Sequence, residues 1–316
     1  MKKRSCAYDQ CCEFEPQSWN HRYCFEHNCK RKAEADKKRE ATFANQEAQF
    51  EQPLDFAEEH IRSAPDGYKV LVINDTQFPF HDQKTMACVE NFWDEFEPDL
   101  EVYNGDMIDF YTISEYSKNP SRLGDLQSDI DGTVRWFDRR ANENPDADRR
   151  WNKGNHEDRL RRFLWKHAKE LGCLRSLEFD KLFEVERLGI KTLEYGSVLD
   201  FLGYRIEHGY KTSASRAYPV NISRFMASAT GSSGLCGHSH HFSIYAWTDA
   251  RGSHSYIENG CLCRFDMEYM AFPNWQQAFT YGIVNNNKVH LVPVQIYPDG
   301  FNAMGEFYER RPGPRR

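Results

Sequence analysis

Tyr68-Lys69-Val70-Leu71-Val72-Ile73-Asn74-Asp75 marks the point where the chain changes character: an apolar, β-branched run that stops at a carboxylate. Such a run, too short for a helix, predicts a buried strand and the start of a globular domain. Downstream, Met86, Val89, Phe92, Trp93 and Phe96 recur at helical spacing within 83–96, and Leu100–Asn104 returns to strand before Gly105, completing a β-α-β opening. Further helices are predicted over about 121–143 and, with a basic face, over 157–171, with a strand at 148–153 between them. Beyond residue 195 strands dominate, at 198–207, 233–236, 242–248, 253–259, 277–284 and 288–296, separated by Gly, Asn and Asp turn signals. Early β-α alternation followed by a strand-rich half predicts an α/β fold whose two sheets pack face to face with helices outside.

Upstream of Tyr68 the composition is different. Of ten cysteines, Cys6, Cys11, Cys12, Cys24 and Cys29 lie before residue 30. A segment this short cannot fold on an apolar core alone, and clustered cysteines in a reducing compartment favour metal over disulfides. The spacing Cys6-x4-Cys11 and Cys24-x4-Cys29 resembles small zinc-ribbon or knuckle segments, so residues 1–32 are read as a module holding one structural Zn2+, with Cys12 and His27 as alternative ligands. Residues 33–67, charged and rich in alanine and glutamine, are read as a helical linker, 68–298 as the main domain and 299–316 as a C-terminal tail. Over the 316 residues the formal charge is −7, which gives no global reason to bind nucleic acid. Lys30, Arg31, Lys32, Lys37, Lys38 and Arg39 nevertheless form a basic flank to the cysteine module. No apolar run approaches the roughly 20 residues of a membrane span, and the N-terminus reaches cysteine and acid before any apolar stretch, so a cytoplasmic protein is expected.

Five segments place metal-capable side chains at predicted strand ends: Asp75-Thr76-Gln77, Gly105-Asp106-Met107-Ile108-Asp109, Gly154-Asn155-His156-Glu157, Glu207-His208-Gly209 and Gly237-His238-Ser239-His240-His241. Singly, each reads as well as a helix cap or a core histidine. Together they fit hydrolysis of a phosphate ester at neutral pH, which needs an activated water and neutralised phosphoryl oxygens, both supplied by two cations roughly 3.5–4 Å apart. Asp106 is then the natural bridge, with Asp75 and His240 completing one metal position and Asn155, His208 and His238 the other.

In this order of motifs the chain resembles the calcineurin-like metallophosphoesterases, over about residues 69–296. The resemblance implies a four-layer αββα sandwich, the ligand assignments just given, and His156 as a non-ligand that contacts the phosphoryl group or protonates the leaving oxygen, oriented by Asp109. Similar sequences are common among phage-encoded phosphoesterases, which implies the host cytoplasm as the setting. Where that pattern has a second histidine in its first motif, this chain has Gln77. A neutral, harder amide oxygen tilts the site toward Mn2+ or Mg2+, with Fe2+ or Zn2+ as alternatives; His81 or water is the other candidate for that position.

Arg159, Arg161 and Arg162 follow the third motif on a helix whose N-terminus would face the metals, and Arg159 is the expected phosphate contact. His241 and His254 are weaker candidates, and His241 is read as a supporting or structural residue. The zinc module, its basic flank and aromatics such as Trp136, Trp151, Trp165 and Tyr210 favour a phosphodiesterase or nuclease acting on DNA or RNA. The alternatives are a phosphomonoesterase for phosphoproteins or small molecules, and a nucleic-acid-binding protein whose esterase site is impaired at Gln77. Substrate walls are expected from residues 109–133 and 209–233, with Lys211, Ser213, Ser215 and Arg216 as polar candidates.

Overall fold

The computed structural model describes residues 4–5, 13–14, 58–122, 124–209, 222–267 and 273–310. The chain divides into two compact units, Met1–Asp55 and Phe56–Arg316. In the first, β1 (Arg4–Ser5) and β2 (Glu13–Phe14) pair antiparallel. Cys6, Cys11, Cys12, Cys24, His27 and Cys29, the basic flank and most of the expected linker lie outside the described residues, as do Tyr210, Lys211, Ser213, Ser215 and Arg216.

In the second unit the elements in chain order are β3 (Glu58–Ile61), β4 (Lys69–Ile73), α1 (Gln83–Phe96), β5 (Leu100–Tyr103), α2 (Leu126–Glu143), β6 (Asp148–Asn152), α3 (Asp158–His167), α4 (Phe179–Leu182), β7 (Ile190–Leu193), β8 (Val198–Phe201), β9 (Tyr204–Glu207), α5 (Ile222–Thr230), β10 (Gly234–Cys236), β11 (Phe242–Asp249), β12 (Gly252–Asn259), β13 (Gln277–Asn285), β14 (Lys288–Ile296), β15 (Gly300–Ala303) and β16 (Glu306–Glu309). One six-stranded sheet runs β14-β13-β4-β5-β6-β7, with β4 through β7 parallel and β13 antiparallel to β4. The other runs β11-β12-β10-β9-β8-β3.

Period-two alternation in the strands builds the layers. Val70, Val72, Leu100 and Val102 point into one apolar cluster with Leu199, Phe201, Ile206, Leu235 and Ile257 of the second sheet. Their neighbours Leu71, Ile73 and Tyr103 face the opposite way, onto Phe92, Trp93 and Phe96 of α1 and Phe137 of α2. The outer face of the second sheet buries Cys236 and Tyr256 under Ile222, Met226 and Ala227 of α5. The result is a four-layer helix–sheet–sheet–helix arrangement, as the sequence predicts. Helix α1 starts where Asp82 accepts the backbone N–H groups of Lys84 and Thr85, and α2 where Asp125 accepts that of Gln127.

Two boundaries differ from the sequence reading. Glu58–Ile61, inside the expected linker, is an edge strand pairing in parallel with Val198–Phe201. Its Glu-Glu-His-Ile composition carries no strand signal, because only one edge of its backbone is paired. The expected tail contains the hairpin β15–β16, whose Phe301 and Tyr308 are buried against Phe92 at ring distances of 6.1 and 5.3 Å. These aromatics cover the end of α1, so the packed domain continues to residue 310. The predicted strand 198–207 is a hairpin that turns at Leu202-Gly203, and α5 was not foreseen.

Candidate metal centre

The five motifs follow the C-terminal ends of β4, β5, β6, β9 and β10, the edge where α/β sheets gather ligands. Asp75 Oδ1 lies 3.1 Å from His240 Nε2, and Asp75 Oδ2 accepts the backbone N–H of His238 at 2.9 Å. Gln77 Nε2 is 3.2 Å from His240 Nε2. Asp106 Oδ2 is 3.1 Å from His208 Nε2, and Asn155 Oδ1 is 3.3 Å from the same nitrogen. The His208 and His238 rings meet edge to face at 5.3 Å, and Asp106, His208 and His238 present ligand atoms within 4.8 Å of one another. All seven expected ligands therefore come together. His81 instead packs against Phe78, with ring centres 4.1 Å apart and the rings tilted, so the side chain that reaches His240 is that of Gln77.

The backbone carrying these groups is held in an unfavourable conformation. Asp75, Gln77, Asp106, His238 and His240 all adopt positive φ, between 51° and 70°. Such non-glycine residues cost on the order of 1–3 kcal/mol each and concentrate at functional sites. Two glycines make the approach possible. A Cβ on Gly105 would strike the His208 ring, and one on Gly154 would come within 2.6 Å of the Asp106 nitrogen and collide with its carboxylate.

Several supports were not legible as such in the sequence. The Glu157 carboxylate accepts backbone N–H groups from Asp106 (2.9 Å), Met107 (2.7 Å) and Gly154 (2.6 Å), tying the second and third motifs together. The Asn104 carbonyl accepts His208 Nδ1–H at 2.8 Å, which aims Nε2 at Asp106. Behind Asp75, Thr280 donates to Asn259 (2.6 Å), Asn259 to Asn74 (2.5 Å), and Asn74 to Asp75 Oδ2 (2.7 Å). Acid or amide residues near each motif were the only available signal.

His156 stands beside the ligands. Its backbone N–H donates to Asp106 Oδ1 (2.8 Å), its Nδ1 is 3.4 Å from Asp109 Oδ1, and its Nε2 accepts from Arg159 Nη2 (2.7 Å). A guanidinium can only donate, so the proton on this imidazole sits on Nδ1, facing Asp109. Arg159 Nη1 also donates to the Asp109 carbonyl at 2.6 Å and pairs with its carboxylate. Arg159, the expected phosphate contact, is thus engaged with Asp109 and His156. Burial opposes charge on Asp109, yet His156 and Arg159 hold its carboxyl below the usual range. His241 lies 3.6 Å from Glu258, and His254 pairs with Asp249 at 2.9 Å.

The donor set fits divalent cations. Asp75 Oδ1, Gln77 Oε1 and His238 Nδ1 are buried polar atoms without a hydrogen-bond partner among the described residues, a costly arrangement unless a cation is to be accommodated. Two buried carboxylates, an amide pair and three imidazoles form the oxygen–nitrogen set of hard to borderline metals. Without metal, protons supply the positive charge. Burial opposes charge on His208, but the adjacent Asp106 outweighs it and pushes the imidazole up to about 10. Burial and the neighbouring His208 push His238 down to about 4.

The His208 shift has a testable consequence. Since its folded pKa lies above the ordinary 6.5, its stabilisation of the metal-free protein is complete below pH 6.5 and is lost as pH rises through about 10. The melting temperature of metal-free protein should fall across that interval. Metal binding near pH 7 should release the His208 proton, read as a binding enthalpy that depends on the buffer's protonation enthalpy. Buffer-independent binding would contradict this.

Against α3 lies a cavity of about 410 Å³, lined in part by Lys153, Arg161, Leu164, Trp165, Phe179 and Tyr195. Trp165 is 56% exposed, with the Arg161 guanidinium 5.1 Å above its ring, whereas Trp136 and Trp151 are core residues. Lys153 is paired with Asp180 (3.0 Å) and Glu194 (2.6 Å). Among the described residues no helix is long and apolar enough to cross a membrane.

Layers and strand-end cluster together are those of an α/β sandwich that gathers its polar side chains along one edge of the sheets, and the solved structures it is similar to include proteins of the dimetal phosphatase and Vps29 kinds. Vps29 of Chaetomium thermophilum aligns over 74% of this chain and 92% of its own, at 12% identity and a TM-score of 0.39. A dimetal phosphatase of Danio rerio aligns over 78% of this chain and 98% of its own, at 11% identity and a TM-score of 0.34. In sequence the chain is similar to the gene 54 protein of Mycobacterium phage D29, 28% identical in a 259-residue alignment that covers 76% of this chain and 98% of the relative. No family model matches the chain.

Proposed function

We propose that this protein is a metal-dependent phosphoesterase that binds two divalent cations among Asp75, Gln77, Asp106, Asn155, His208, His238 and His240 and acts on phosphodiesters, with nucleic acid as the favoured substrate class. The observation that carries the reading is the set of buried, unpartnered ligand atoms converging from strand ends of both sheets. Two such cations, when bound, would supply an activated water and neutralise phosphoryl oxygens. Asp106 would bridge them, Asp75, Gln77 and His240 would complete one position, and Asn155, His208 and His238 the other. The amide oxygens favour Mn2+ or Mg2+ over softer ions.

The protein's own groups divide the remaining work. Glu157 and Asn104 fix the loops and the His208 ring, so the ligand atoms need not reorganise. A phosphoryl oxygen entering the site would replace His156 Nε2 as acceptor for Arg159 Nη2. The freed Nε2 would take a proton from solvent and pass it to the leaving oxygen, while Asp109 stays beside Nδ1 and orients the ring. Arg159 is thus both the clamp on Asp109 and a phosphate donor once substrate arrives.

Nucleic acid is favoured by Trp165. Because Lys153 is already paired, the cavity beside α3 offers an aromatic face rather than a free phosphate site. Trp165→Ala should cost about 1–3 kcal/mol of single-strand affinity, as for a base-stacking residue. Fluorescence anisotropy with a labelled oligonucleotide measures this, and unchanged affinity would remove the stacking role. The N-terminal cysteine module, read as a structural Zn2+ site, would add a second contact for nucleic acid or for a protein. The setting proposed is the cytoplasm of a phage host.

The reading is tested by incubating purified protein and Mn2+ with bis-p-nitrophenyl phosphate, p-nitrophenyl phosphate, and labelled single- and double-stranded DNA. Diester and DNA cleavage supports it. Monoester preference would replace it with a phosphatase, and retained metal without turnover would leave a binding protein.

A further inference from the structure

The His240 ring has two faces of different chemistry. Its Nε2 looks toward Asp75 and Gln77, whereas its Nδ1 lies 3.8 Å from Cys263 Sγ. Cys261 is the second thiol. Cys261 and Cys263 sit at isolated bridges, to Gln277 and to His81, on either side of a bend at Leu262. Leu262 between them turns away, its N–H bonded to the Asp75 carbonyl at 3.1 Å. Both cysteines are fully buried, and His240, Cys261 and Cys263 each offer a ligand atom within 4.8 Å of the other two.

We propose that Cys261 Sγ, Cys263 Sγ and His240 Nδ1 form a binding site for one thiophilic cation of the zinc and cadmium class, distinct from the phosphoesterase centre and joined to it through the His240 imidazole. Zinc bonds of about 2.3 Å to sulfur and about 2.0–2.1 Å to nitrogen imply a tetrahedral sulfur–nitrogen edge of roughly 3.6 Å. The observed 3.8 Å is a few tenths wider, within reach of small side-chain shifts. The Gln276 carbonyl accepts the Cys261 N–H at 3.0 Å and lies 3.7 Å from Cys261 Sγ. Trp275 packs its edge on the His240 ring at 4.3 Å. The two centres also differ in ligand softness: thiolates select ions that the carboxylates and amides on the other side of His240 do not prefer. With both nitrogens ligated the ring is the imidazolate, its proton released to solvent, so a cation on Nδ1 would alter the donor strength of Nε2.

Cadmium is the probe. Full-length protein is stripped of metal and titrated with Cd2+, following sulfur-to-cadmium charge-transfer absorption and counting bound cadmium by mass spectrometry. Wild type, Cys261→Ser/Cys263→Ser and Asp106→Asn are compared, since the N-terminal cysteines contribute equally to all three. The double variant is expected to bind one cadmium fewer per chain and to lose the corresponding absorption. Asp106→Asn, which removes the bridge of the other centre, is expected to keep that absorption. Equal cadmium and equal absorption in wild type and double variant would overturn the site and leave Cys263 as a hydrogen-bond partner of His240. Should the double variant not fold, anomalous scattering from cadmium-soaked wild-type crystals decides. A peak enclosed by the two sulfurs and Nδ1 supports the site, and its absence there, with cadmium bound elsewhere, rejects it.

Discussion

Asp106→Asn is expected to lower diester hydrolysis by on the order of 10³-fold or more, with the fold retained. Lewis-acid stabilisation contributes several kcal/mol, and each ~1.4 kcal/mol is a factor of ten in rate. The carboxylate is buried, with Oδ2 3.1 Å from His208 Nε2 and Oδ1 bonded to the His156 backbone. Asparagine keeps the shape and can keep the bond to His156, but it removes the charge on which a bridge between two cations depends. Burial opposes charge on Asp106, and His156 and His208 nonetheless hold its carboxyl well below the ordinary range, so it is ionised at every working pH. The loss should appear as reduced metal content together with reduced kcat at matched circular dichroism. Full activity in this variant would remove Asp106 from the centre.

His156→Ala should lower kcat by about 10²–10⁴-fold, the usual contribution of a positioned general acid or base. Metal content should stay that of wild type, because His156 Nε2 faces Arg159 and lies 3.6 Å from Asp106 Oδ2 rather than among the ligands. The two variants therefore separate roles: one loses metal and rate, the other rate alone. Metal loss in His156→Ala would make it a ligand, and an unchanged kcat would make it a bystander. Asp109→Asn should fall between wild type and His156→Ala, because Arg159 still holds the ring after the carboxylate is neutralised.

The apolar run before Asp75 and the Gly-Asp, Gly-Asn-His and Gly-His-Ser-His segments carried most of the architecture and the membership of the strand-end cluster, because both are local signals. Period-two alternation is written into consecutive residues, and a metal ligand at a strand end needs a nearby glycine for close approach. The supports were different. Thr280, Asn259 and Asn74 form one chain of hydrogen bonds, yet Asn259 and Asn74 are 185 positions apart, so neither predicts the other. Strand β3 and the C-terminal hairpin were missed for related reasons. The first is an edge strand with a charged sequence, and the second earns its burial from Phe92, more than 200 residues away. The Arg159 contacts were not legible because a charge on a helix does not disclose its partner, and here Asp109 comes from another motif.

The most direct test of the central claim is stepwise addition of Mn2+ to metal-free protein, with electron paramagnetic resonance and bis-p-nitrophenyl phosphate hydrolysis followed together. Two ions bridged by Asp106 predict a spin-coupled manganese pair, with activity rising as the second equivalent binds. A single uncoupled ion at saturation, or activity complete after one equivalent, would contradict a dinuclear centre.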